Sequence, residues 1–304
     1  MELIIGSHVS YKSSKGLLGC VEESISYNAN SFMFYTGAPQ NTKRSPINDE
    51  LTTKAYQLMK EHNISKDNVI IHAPYIINLA NNESLDKYNF SINFLKEEIK
   101  RAIALGINKI VLHPGSFVKL SREVGINNII NGLNKVLEDN NQVVICLETM
   151  AGKGSEIGTT FEEIKYIIDN VEKSNLLGVC FDTCHLNDSG YDMSNFDNLL
   201  DEFDKLIGIT KIKCIHINDS YNGIGTRKDR HSNIGYGTVG FNNLINIIYN
   251  PRLASIMKIL ETPYITKDDT SKERLYPPYK EEIKMIKEKK FNDKLIDEIR
   301  EKNK

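Results

Sequence analysis

Eight short runs rich in Val, Ile, Leu and Phe recur along the chain, near residues 2–6, 31–35, 69–72, 109–113, 143–148, 178–182, 212–217 and 256–261. The interval from one to the next is roughly 29 to 44 residues, the size of one βα unit. Between the runs lie stretches with helical periodicity. Leu85 to Leu105 carries Phe90, Phe94, Ile99 and Ile103, and Phe161 to Val171 carries Ile164, Ile167 and Ile168. Runs such as VIIH, KIVLH, VVICLE and KCIHI are apolar throughout rather than alternating, which suits a parallel sheet covered by helices. Eight successive units predict a closed α/β (β/α)8 barrel, with an open doubly wound sheet as the structural alternative. No linker rich in Ser, Gly or Pro breaks the chain, so residues 1–304 are expected to form a single domain. The segment from Lys280 to Lys304, with Ile283, Ile286, Leu295 and Ile299 set among Lys and Glu, predicts one or two closing amphipathic helices.

Charge narrows the function classes. With 38 basic and 40 acidic side chains the net charge is −2, which excludes a strongly basic nucleic-acid coat but leaves room for a locally positive site. The opening MELIIGSHVS has no basic segment followed by a long apolar one, and no run approaches the roughly 18 apolar residues that a membrane span needs. Five cysteines, Cys20, Cys146, Cys180, Cys184 and Cys214, show no paired C-x-x-C spacing. A disulfide framework and a thiolate zinc knuckle are both disfavoured, and the expected setting is reduced and cytoplasmic, with no membrane partner.

In a barrel of this kind the chemistry lies at the C-terminal ends of the strands. Six of the runs end there in a histidine or a carboxylate: His72 in VIIHAP, His113 in IVLHPG, Glu148 in VICLET, Asp182 in VCFDTCH, His216 in KCIHIND and Glu261 in KILETP. One such residue is more often a hydrogen-bonded structural group than a ligand. Six converging on one mouth would repel or lie unsatisfied unless cations joined them. Two loops add more: His185 follows Asp182 by three residues, and Asp229 and His231 are separated by one, so that an extended turn would point both to one side. Five imidazoles and four carboxylates exceed what one tetrahedral ion can use, and predict two or three ions sharing a carboxylate. The donor types favour zinc and admit manganese or iron.

Other residues rank lower. His62 reads as a surface residue at a helix end. His8, in GSHVS, is expected to stand behind the ligands and support them. Cys184 beside His185 reads as a buried inert thiol, and Gly152 to Gly158 as turns, since they lack the order of a phosphate-binding loop.

Taken together, GSHVS, FYTGAPQNT, HAPYIINLA, HPGS, ETMAGKGSEIG, GVCFDTCHLNDSGYD, HINDS, DRHSNIGYGTVG and LETP resemble the endonuclease IV family of zinc-dependent apurinic/apyrimidinic endonucleases. The resemblance extends from about Met1 to Glu288, and the FDTCH and DRH blocks are its specific part. It implies a TIM barrel with three zinc ions. The first would be held by His72, His113 and Glu148. Glu148 would bridge to a second completed by Asp182, His216 and Glu261, and His185, Asp229 and His231 would hold the third. The implied activity is base-excision repair: hydrolysis of the phosphodiester 5′ to an abasic site in duplex DNA, giving a 3′-hydroxyl and a 5′-deoxyribose phosphate, with Glu148 and Glu261 as catalytic carboxylates.

Phosphodiester hydrolysis at neutral pH needs an activated water and neutralised phosphoryl oxygens, and bound divalent cations supply both. Three such ions against four carboxylates would leave the mouth at roughly +2, so that a chain of net charge −2 is expected to bind DNA there, as the resemblance implies. Arg227, Lys228 and Arg230 add cations for phosphate contacts. Recognition of a missing base calls for side chains that enter the stack, and Gln40, Asn41, Tyr75 and Ile76 stand on the loops after the second and third runs. A monomer is expected. Two other readings share the pattern: a sugar isomerase or epimerase on the same barrel, which has no evident use for the third donor set, and a non-catalytic lesion-binding protein.

Overall fold

The computed structural model describes residues 2–140 and 142–303. Its eight barrel strands are β1 (Ile5–His8), β2 (Ser31–Phe34), β3 (Val69–His72), β4 (Lys109–Leu112), β5 (Val144–Glu148), β6 (Leu177–Asp182), β7 (Ile212–Ile217) and β8 (Met257–Leu260). Each pairs in parallel with its sequence neighbours, and β8 closes on β1 through Ile5↔Lys258 and Ser7↔Leu260. The closure excludes the open-sheet alternative. Gly6 is required here, because a Cβ on it would lie 1.7 Å from the Ser31 carbonyl oxygen of β2.

Among the described residues ten helices accompany the strands: α1 (Gly16–Ser26), α2 (Asp49–Glu61), α3 (Leu85–Ala104), α4 (Arg122–Leu137), α5 (Phe161–Asn170), α6 (Thr183–Ser189), α7 (Phe196–Leu206), α8 (Phe241–Ile248), α9 (Tyr279–Glu288) and α10 (Leu295–Lys302). Local chemistry starts several of them. Asn48, Ser84, Ser121 and Thr160 each offer a side-chain oxygen to a backbone N–H in the first turn. The last two helices bury Ile283, Ile286, Leu295 and Ile299, as their spacing predicts. No helix among the described residues is long and apolar enough to cross a membrane.

Two apolar regions hold the fold. The larger lies between the strands and the helices and includes Phe32, Phe34, Leu95, Ile164 and Phe203. The smaller fills the barrel interior with Met33, Ile70, Val111, Cys146, Cys180, Cys214, Met257 and Ile259. Each fully buried aliphatic or aromatic side chain of this size contributes roughly 1.5–3 kcal/mol.

Some details differ from the sequence expectation. β1 starts at Ile5 rather than residue 2, where its register with β8 begins. Along α3 the apolar stripe is narrower than the periodicity predicts: Phe94 and Ile99 are buried, whereas Phe90 is exposed and stacks on Phe94 at 5.5 Å, and Ile103 is exposed. Within the stretch 152–158, Glu156–Ile157 forms a short antiparallel ladder with Gly115–Ser116. That ladder braces the loops after β4 and β5 against each other.

Candidate metal centre

The nine predicted donors meet at one end of the barrel, with Glu148 in the middle. His72 is the last residue of β3 and Glu148 the last of β5; His113 and Glu261 lie one residue beyond β4 and β8, and His216 one residue before the end of β7. Glu148 Oε2 lies 3.2 Å from His72 Nε2 and 3.1 Å from His113 Nε2. Its other oxygen, Oε1, lies 3.1 Å from His216 Nδ1 and 3.3 Å from His185 Nδ1. His216 Nδ1 is also 3.0 Å from Glu261 Oε2. Among these nine, three sets have donor atoms within 4.8 Å of one another: His72, His113 and Glu148; Glu148, Asp182, His216 and Glu261; and Asp182, His185 and His231. Asp229 stands beside the last set, 3.0 Å from His185 Nε2 and 3.7 Å from His231 Nε2.

Asp182 and His185 are placed by one local device. Asp182 ends β6 and caps α6, its Oδ1 accepting the backbone N–H of His185 at 2.8 Å. Asn218 donates to the other oxygen, Oδ2, at 2.7 Å. His185 Nδ1 is in turn 2.9 Å from the Thr149 carbonyl.

The segment carrying Asp229 and His231 is not the extended turn its spacing predicts. Arg227 and Asp229 have φ of +56° and +52°, the left-handed region. Asp188 explains the bend. Its backbone carbonyl accepts from Arg227 N–H and its carboxylate from Asp229 N–H, both at 2.9 Å. His231 then enters a two-residue ladder with Asp219–Ser220. Asp188 and Asn218 carry the site, and the sequence reading overlooked both; their signal was proximity to ligand motifs, as the Asn of HIND and the Asp of HLND.

Burial and neighbouring charge compete at several ionisable groups here. For Glu148 burial favours the neutral acid, but the charges of His113 and His216 overcome it and hold the carboxyl well below its usual range. Glu261 is lowered likewise, chiefly by His216 against the burial cost. Burial would lower His185, yet Asp182, Asp229 and Glu148 raise it well above the ordinary imidazole value. Asp229 drops to about 2, with its His185 hydrogen bond outweighing burial. In each pairing the carboxylates favour positive charge on the neighbouring donor.

The donor set fits divalent cations. His231 Nε2 is buried without a hydrogen-bond partner, 3.8 Å from Asp182 Oδ2 and 3.7 Å from Asp229 Oδ1. Those gaps are too long for hydrogen bonds, but suit donors sharing an ion at bond lengths of about 2.0–2.2 Å. His8 belongs to none of these sets. Its ring lies 4.9 Å from Tyr35, and burial pushes its pKa down to about 4.

The rim carries the remaining candidates. Tyr75 is 54 % exposed and Ile76 is half-buried against the core. Gln40, Asn41, Arg227, Lys228 and Arg230 are exposed. The loop bearing Gln40 and Asn41 is pinned to α3: Thr36 and Arg44 both donate to buried Glu98 at 2.6 Å, and Arg101 donates to the Thr36 and Ser45 carbonyls. A cavity of about 560 Å³ opens beside the centre, lined by Asp229, Arg230, His231 and Glu261 and also by Tyr221 and Arg274, which sequence reasoning missed.

A closed parallel barrel with imidazole and carboxylate donors gathered at its C-terminal end defines the class, and residues 21–289 match the family described as the xylose isomerase-like TIM barrel. Within that class the relatives are specific. The chain is 51% identical over 298 residues to "Probable endonuclease 4" of Geobacillus kaustophilus and 50% identical over 298 residues to the Bacillus subtilis protein of the same name. The first comparison covers 98% of both chains, and the second 98% of this chain and 99% of its relative. The crystal structure of endonuclease IV from Thermus thermophilus superposes with a TM-score of 0.77 at 26% identity, covering 94% of this chain and 98% of that one. An L-ribulose 3-epimerase, at 16% identity and a TM-score of 0.67, shares the fold. The chain belongs to the endonuclease IV family and is a nuclease of the hydrolase class.

Proposed function

We propose that this nuclease acts in DNA repair, hydrolysing the phosphodiester 5′ to an abasic site in duplex DNA and leaving a 3′-hydroxyl and a 5′-deoxyribose phosphate. The observation that carries the reading is the convergence of five imidazoles and four carboxylates around Glu148, beside a cavity that also presents Arg230 and Arg274. Kinship with proteins called endonuclease 4 supports the substrate class. The chain works as one domain and as a monomer in the cytoplasm.

Three zinc ions are assigned to the centre: one to His72, His113 and Glu148, one to Glu148, Asp182, His216 and Glu261, and one to His185, Asp229 and His231. When bound, such ions supply Lewis acidity toward phosphoryl oxygens and a water that ionises near neutral pH. The protein's own groups do the rest. Glu148 turns one oxygen to each of two donor sets and so fixes their spacing. Together with Glu261 it also offsets positive charge that would otherwise hold the product phosphate. Arg227, Lys228 and Arg230 bind flanking phosphates, which positions the duplex without reading its sequence. Tyr75, exposed at the rim and backed by Ile76, fills the gap where a base is missing, with Gln40 and Asn41 contacting the strand alongside. His8 supports the ligands from behind.

The test is a nicking assay on matched intact and abasic duplexes, with product ends identified and metal per chain measured after gentle purification. The expected result is cleavage confined to the abasic duplex, with the ends named above and close to three zinc ions per chain. Absence of nicking, or full activity with about one ion, overturns the reading.

A further inference from the structure

On three consecutive strands, the residue two positions before a candidate ligand is a cysteine: Cys146 before Glu148, Cys180 before Asp182 and Cys214 before His216. Side chains alternate along a strand, so each cysteine shares its ligand's barrel-facing side, roughly 6–7 Å nearer the barrel floor. All three are fully buried in the interior cluster with Met33 and Met257. A layer rich in sulfur thus underlies a layer of nitrogen and oxygen donors.

Within that layer, Cys180 and Cys214 are direct register partners on β6 and β7. A ring nitrogen of His216 lies within 4.8 Å of both sulfurs. His216 Nδ1 already faces Glu261 and Glu148 at 3.0 and 3.1 Å. Nε2, on the other edge of the ring, is fully buried and makes no hydrogen bond of ordinary geometry, and the Cys180 and Cys214 thiols are polar neighbours of this imidazole. The Cys180 thiol has a carbonyl contact with Phe181, long at 3.7 Å.

We propose that Cys180, Cys214 and Nε2 of His216 form a second cation site, soft in character, on the floor side of the centre and joined to it by the shared imidazole. Two thiolates and an imidazole select thiophilic ions such as Cd²⁺ or Cu⁺ over hard ions such as Mg²⁺ or Mn²⁺. Binding releases the two thiol protons to solvent.

Cadmium chloride titrated into the full-length protein, as purified and in a non-thiol reductant, tests this by near-ultraviolet absorption. Thiolate-to-cadmium charge transfer absorbs there, and imidazole and carboxylate donors do not, so the readout is independent of what the centre above hydrolyses. The expected result is a saturable band that is lost in Cys180→Ser and in Cys214→Ser but kept in Cys20→Ser, whose cysteine is buried on α1. No band in the wild type, or a band that survives both barrel substitutions, overturns the proposal. Should either variant misfold, cadmium-113 resonance of the wild type decides. A thiolate-range shift supports the site, and oxygen or nitrogen ligation alone overturns it.

Discussion

The carboxylate of Asp188 accepts the backbone N–H of Asp229 at 2.9 Å, tying the end of α6 to a loop 41 residues further on. The same carboxylate accepts from Ser220 Oγ at 2.6 Å, and Asp188 is fully buried. Asp188→Ala leaves buried donors unpaired, and the expected loss of stability is roughly 1–3 kcal/mol by denaturant unfolding. Because Asp229 is then no longer held in its left-handed conformation, the metal concentration for half-maximal nicking should rise. Unchanged values for both would show that the tie does not matter.

Glu148→Gln should keep the barrel folded, as judged by circular dichroism, yet reduce nicking on the order of 10²-fold or more, as expected for loss of one preorganised electrostatic group. Asp229→Ala should differ in kind, with activity recovering as zinc is added. A glutamine variant with near wild-type turnover contradicts the bridging role of Glu148.

Tyr75→Ala removes an exposed ring from the rim and touches no donor set. Binding to abasic duplex should weaken far more than binding to intact duplex at the same salt, with metal content unchanged. An equal loss on both duplexes would reduce Tyr75 to a general contact or packing role.

Glu282 gives the fold a pH dependence separate from the centre. Burial raises its pKa to about 7 against hydrogen bonds from Thr262, Ile234 and Asn233. Between the ordinary value of 4.5 and about 7 the folded protein holds a proton that the unfolded chain has released. Stability from this group is therefore present in full below that window and is lost as pH rises through it. Denaturant midpoints for wild type minus Glu282→Gln should fall over that range and level off above it. A difference flat with pH would show that Glu282 ionises normally.

Much of this molecule is legible from its chain. Eight apolar runs locate the eight strands, because a parallel sheet covered on both sides demands apolar residues on both faces. The candidate donors are legible for a related reason: a charged or imidazole side chain closing an apolar run is costly unless the site uses it. What escapes is tertiary detail. The spacing of Asp229 and His231 reads as extended, since nothing local reveals that Asp188, far away in sequence, bends the loop. Phe90 fits the α3 periodicity but is exposed, because position on the stripe does not say how far the neighbouring helix reaches. The Cys-x-His/Asp/Glu repeat on β5, β6 and β7 is written in the chain, but C-x-x-C spacing does not reveal it, because side chains on a strand share a face at every second residue.

Asp182 divides its two oxygens between tasks, one starting α6 and the other facing the centre with Asn218 as partner. An engineer who wished to refit this barrel for another ion could exchange His72 or Glu261 as single letters. Asp182 is not exchangeable in that way, since its replacement must also begin a helix, and His185 moves with whatever that helix start becomes. Aspartate and histidine three apart at the end of β6 thus form one cassette, to be grafted or redesigned only as a unit.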